Sequence, residues 1–97
     1  MPRSSDTTAL PGADLVERGL DDLRRSRHTS HAMLVAMAAP RLRACGIEVP
    51  EAEVARPSHE LYDLLAKDDP AGAHSRYNAL AARMVSYVRA AERARAS

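Results

Sequence analysis

Apolar residues recur at helical spacing in four stretches of the chain, separated by polar segments that carry most of its prolines and glycines. The longest stretch closes the sequence. Asp69 is a suitable N-cap, Pro70 fits a first helical position where its missing N–H costs nothing, and neither Pro nor Gly interrupts residues 73–96. With Tyr77 as heptad position a, the residues Tyr77, Leu80, Met84, Tyr87, Ala91 and Ala94 fall on one stripe, and Asn78, Arg83, Arg89 and Arg93 fall elsewhere. A helix of about 25 residues would run roughly 38 Å. Its far end is therefore expected to overhang the core it packs on.

Upstream, Leu15, Val16, Gly19, Leu20 and Leu23 mark a first helix, with Asp14 as candidate N-cap and Glu17 three residues on. The wholly polar stretch Arg24 to His31 leaves two readings open: a continuous helix with a solvated section, or a new helix capped at Thr29-Ser30. Ala32 to Cys45 is apolar nearly all round in its first half, as in a helix at the centre of a bundle. Pro40 is expected to kink or divide it, and Gly46 is placed to be the left-handed residue after its end. Ile47 to Pro50 reads as an extended link, and Pro50 through Val54 as a short helical turn stopped by Pro57. Ser58 then opens a helix carrying Leu61, Tyr62, Leu64 and Leu65. The connection Asp68-Asp69-Pro70 is tight, so this helix and the last one should form an antiparallel hairpin.

No segment alternates with period two over the length a strand needs. The expected fold is all-α: a small antiparallel bundle of about four helices with a long C-terminal amphipathic helix and a short extra turn near Glu51. It forms one domain over residues 13–97 behind a flexible tail at 1–12, where Ser, Thr, Pro and Gly replace apolar content.

Composition sharpens this picture. Phe and Trp are absent, Tyr occurs three times and Ala nineteen times among the 97 residues, so the core must be made of Leu, Val, Met and Ala. A chain of this length buries only roughly 60 to 70% of its unfolded surface. A second subunit covering more apolar area would stabilise it, so a homodimer is expected, with Tyr77, Leu80, Met84, Tyr87, Val88 and Ala91 at the interface. Formal charge is only +1, but residues 51–70 carry two basic against six acidic groups, and residues 71–97 five against one. The acidic helix is thus expected to attract the basic one. Cys45 is alone, which excludes an intramolecular disulfide and a cysteine zinc cluster and suits a reducing cytoplasm. The longest apolar run, Ala32 to Ala39, is too short to span a bilayer, so no membrane association is expected.

Candidate chemistry rests on histidine, tyrosine and arginine. His28 and His31 stand three residues apart, and in a continuous helix both would lie on one face as metal-ligand candidates, with His59 and Asp63 converging from elsewhere in the bundle. The paired Glu-x-x-His motifs of carboxylate bundles are missing, and no metal or other cofactor is expected. If the final hairpin pairs in register, His59 and Tyr62 would face His74, Tyr77 and Asn78. That polar cluster, with Arg76 nearby, could take a small polar or anionic ligand. No nucleophile-and-base set, glycine-rich phosphate loop or carboxylate pair stands out, so catalysis has little support.

The expected function is accordingly a small cytoplasmic interaction or regulatory module, self-associating through its C-terminal helix or holding a protein partner. The alternatives are a small-ligand-binding or metal-binding helical protein, or an enzyme, that uses the His/Tyr cluster, and a DNA-binding accessory protein that uses Arg83, Arg89, Arg93 and Arg95 of the basic C-terminal helix.

Overall fold

A computed structural model of the chain describes residues 10–96. Among them are four helices: α1 (Ala13–Arg24), α2 (Ser30–Ala44), α3 (Pro57–Asp68) and α4 (Ala73–Ala96). The bundle measures 41 × 25 × 21 Å. Its centre is α2, which packs on α1, α3 and α4, and this is why four consecutive residues of α2, Ala32 to Val35, are all buried. Met33, Leu34, Leu42, Leu61, Val16, Val35 and Val88 are the largest fully enclosed side chains.

Each boundary has a local cause. α1 starts one residue before Asp14, with Gly12 as N-cap: its φ of 79° favours glycine, and its carbonyl accepts from Val16 N–H at 3.2 Å. A Cβ there would also meet the Arg83 carbonyl oxygen at 3.1 Å. Leu10 packs on the core, and its carbonyl accepts from Ala13 N–H at 3.1 Å, within the stretch 1–12 expected to be a flexible tail. The rest of that expectation, residues 1–9, lies outside the described residues.

The open question at Arg24 to His31 resolves as a break. Ser26 N–H donates to the Leu23 carbonyl at 3.0 Å and Arg27 N–H to the Asp22 carbonyl at 2.8 Å, with Ser26 itself left-handed at φ 58°. This is the Schellman closure of a helix C-terminus with serine in the glycine position. Thr29 then caps α2, its hydroxyl accepting from Ala32 N–H at 3.1 Å. The same closure ends α2, where Gly46 at φ 85° takes the predicted place and Ile47 N–H reaches the Leu42 carbonyl at 3.1 Å.

Other expectations need correction. Of the two outcomes expected at Pro40, division does not occur: α2 runs through it as one helix, with the proline on the exposed side and Ala36, whose carbonyl loses its helical donor, only half-buried. The turn near Glu51 is not helical: residues 47–54 stay irregular, held by Arg43, whose guanidinium donates twice to the Val49 carbonyl, at 3.3 and 2.8 Å. Pro57 is not a stop but the first residue of α3, the position its fixed φ suits. α4 begins at Ala73 instead of just after Asp69. The Asp69 carboxylate does accept from a backbone donor, Gly72 N–H at 3.1 Å, but it closes the turn ahead of the helix, and the first helical acceptor is the Gly72 carbonyl, bonded to Arg76 N–H at 3.0 Å. At the far end Ala91 is buried and residues 92–96 are exposed, the overhang expected from length.

Candidate functional site

The α3–α4 hairpin pairs as its short connection requires, and this brings the Tyr62 and Tyr77 rings together, centroids 5.8 Å apart and planes inclined at 52°. Beside them Ser58, His59 and Asp63 complete a surface cleft of about 440 Å³. Of the six residues expected at a ligand site, His59, Tyr62 and Tyr77 therefore meet. The other three do not line the cleft: His74 and Asn78 are exposed and pair with one another at 3.2 Å, and Arg76 turns to Asp68, donating at 2.8 Å. Asp63 is a residue the sequence reading assigned only to a metal set; its i, i+4 relation to His59 was the available signal.

The expected interface stripe divides differently. Met84, Tyr87, Val88 and Ala91 are buried in the chain's own core, Met84 being only 4% exposed, while Tyr77 and Leu80 are half-buried at its edge. A heptad stripe marks whatever faces apolar surface, and here the chain's own α3, α2 and α1 supply that surface. The large apolar residue of α4 left outside is Val85, 38% exposed and off the stripe. It stands on the rim of a second cleft, of about 190 Å³, between α2 and α4, lined also by Leu34, Met37, Ala38, Ala81 and Arg41. Sequence periodicity had no means of finding this cleft, because it depends on how closely two helices approach.

The histidines do not converge. His28 lies in the link after α1 and His31 in the first turn of α2, so the shared face required a helix that is not there. Among the described residues no group of three or more His, Cys, Asp or Glu could hold a metal ion. His31 has its own environment: burial, with the positive charge of Arg18, pushes its pKa below 6.5 against the opposing pull of Asp22 and Asp14. Burial also raises Tyr87, with Glu17 adding to the effect.

Charge pairing is spread over the whole bundle. Arg76–Asp68 joins the acidic helix to the basic one; Arg83 reaches Asp14 on α1 at 3.3 Å, and Arg41 on α2 reaches Glu92 on α4 at 3.1 Å. Asp14 thus serves α4 instead of its i, i+4 neighbour Arg18, whereas Asp21 keeps Arg25 at 3.3 Å. Two of the arginines on the last helix, Arg76 and Arg83, are thereby neutralised at the bundle surface. No helix among the described residues is long and apolar enough to cross a membrane. The chain matches no protein-family model, and no curated protein or solved structure is significantly similar to it.

Proposed function

We propose that the protein is a small helical interaction module, with no catalytic activity of its own, that self-associates through the outer face of α4 and the adjoining strip of α2. The observation that carries this reading is Val85, an exposed apolar side chain on the rim of an apolar cleft. Knob and cleft lie on one patch. Two copies related by a two-fold axis can each insert Val85 into the other's cleft, the self-complementary arrangement a symmetric dimer requires. Arg41, the charged member of the lining, is neutralised by Glu92 and brings little like-charge repulsion to the contact. Covering the patch removes apolar area from water at about 25 cal/mol per Å², a gain that matters to a domain with so few large core residues. A regulatory or accessory role in a reducing cytoplasm belongs to the same reading, supported by the lone Cys45.

Sedimentation equilibrium of the wild type and of Val85→Glu tests it. A concentration-dependent dimer is expected for the wild type, and a monomer of unchanged helical circular dichroism for the variant, since Val85 is outside the core. Met84 cannot serve for this purpose, because a charge there would unfold the monomer itself. A wild type that remains monomeric at millimolar concentration would refute the proposal.

A further inference from the structure

We infer that the cleft at the α3–α4 hairpin is a binding site for an organic cation, an alkylammonium or guanidinium group held by Tyr62, Tyr77 and Asp63. The site is distinct from the α2–α4 patch and does not depend on self-association.

The chain has three aromatic residues. Tyr87 is buried in the core, where a protein without Phe or Trp needs bulk, yet Tyr62 is 39% exposed and Tyr77 is only half-buried. Their ring centroids lie 5.8 Å apart and the planes incline at 52°, so they do not stack face on face, and π-surface is left for a third group. The cleft beside them, about 440 Å³, admits a group of amine or guanidine size with part of its stem.

Electrostatics then fixes the sign of the ligand. The faces of tyrosine rings carry negative quadrupolar charge and attract cations within about 6 Å of the ring centre. Asp63, one helical residue from Tyr62, adds a full negative charge to the lining and has no ion-pair partner among the described residues. Arg76, the residue that would have drawn an anion, is engaged with Asp68 outside the cleft. Ring faces and carboxylate therefore act in the same direction. Ser58 and His59 add polar atoms at the rim that can meet the N–H groups of such a ligand.

The three tyrosines make the test internal to the molecule. Tyr62 and Tyr77 ring resonances are followed by NMR at constant ionic strength during titration with tetramethylammonium chloride, with arginine amide, and with sodium chloride as control. Saturable shifts of Tyr62 and Tyr77 are expected with both organic cations, with Tyr87 unmoved. Tyr62→Ala should abolish saturation, and Asp63→Asn should weaken arginine amide by about threefold. A short capped peptide with a central arginine separates the two sources of such a group: much tighter binding than arginine amide assigns the site to a partner's side chain, and equal binding assigns it to a free small molecule. Shifts that never saturate, that match sodium chloride, or that survive Tyr62→Ala unchanged overturn the inference.

Discussion

The Thr29 hydroxyl donates to the Asp22 carboxylate at 2.6 Å while accepting from Ala32 N–H, so one side chain joins the end of α1 to the start of α2. Asp22 is the buried charged residue of the described chain, and it is tolerated because Thr29 and, at 3.8 Å, Arg27 satisfy it. Thr29→Val keeps the shape and removes both bonds. It is expected to lower unfolding stability by about 2 kcal/mol, combining a lost N-cap with an under-satisfied carboxylate. Thr29→Ser should retain most of it. Urea denaturation of the two variants measures the difference, and equal midpoints would mean that the cap contributes nothing.

Ser26 holds a left-handed conformation that glycine adopts without cost. Ser26→Gly is expected to stabilise the protein by up to about 1 kcal/mol, the relief of left-handed strain partly offset by a more flexible unfolded chain. Ser26→Ala should not. Thermal melts of both variants against wild type decide this, and a glycine variant that melts lower than the alanine variant would contradict it.

Gly19 is buried where α1 crosses α2, and a Cβ there would collide with the His31 carbonyl oxygen and with Val35 Cγ2. In an isolated helix Gly→Ala is favourable by about 1 kcal/mol. Here the sign is expected to reverse, with Gly19→Ala costing about 2 kcal/mol because backbone cannot yield as a side-chain tip can. A variant more stable than wild type would show that the helices separate freely.

His31 gives stability a pH dependence. Its folded pKa lies below the ordinary 6.5 because burial and Arg18 oppose protonation more than Asp22 and Asp14 favour it, with Arg83 also opposing. The unfolded chain therefore binds the proton first. The contribution is complete above about pH 6.5 and is lost as pH falls from there toward the lowered folded value. His31→Gln should flatten that part of the stability profile measured by urea denaturation between pH 7 and pH 5. A slope unchanged by the substitution would assign it to other groups.

The limits of sequence reading are visible in particular residues. Gly46 was readable because it follows an apolar helical run and glycine is the usual residue in that closure; Ser26 performs the same task without a compositional sign. Pro57 read as a stop because proline is compatible with either side of a helix start, and the choice depended on the irregular chain before it. The tyrosine pair was legible from the tight hairpin connection and its register. The Val85 cleft was not, since the heptad stripe predicted which face of α4 is covered and said nothing of what lies at the edge of the cover.

Helical periodicity, punctuation by Pro and Gly, and the absence of strand-like alternation were enough for the sequence by itself to determine an all-α bundle of four helices, ordered as they are and ending in a long one. These are local properties, carried by residues three or four apart. The tertiary structure alone decided that Met84, Tyr87 and Val88 serve the chain's own core, that Asp14 pairs with Arg83, and that Arg76 leaves the tyrosine cleft for Asp68. Each of these depends on the distance and rotation between helices that are remote in sequence. Side-chain fit across the whole bundle sets those quantities, and no short window of sequence contains them.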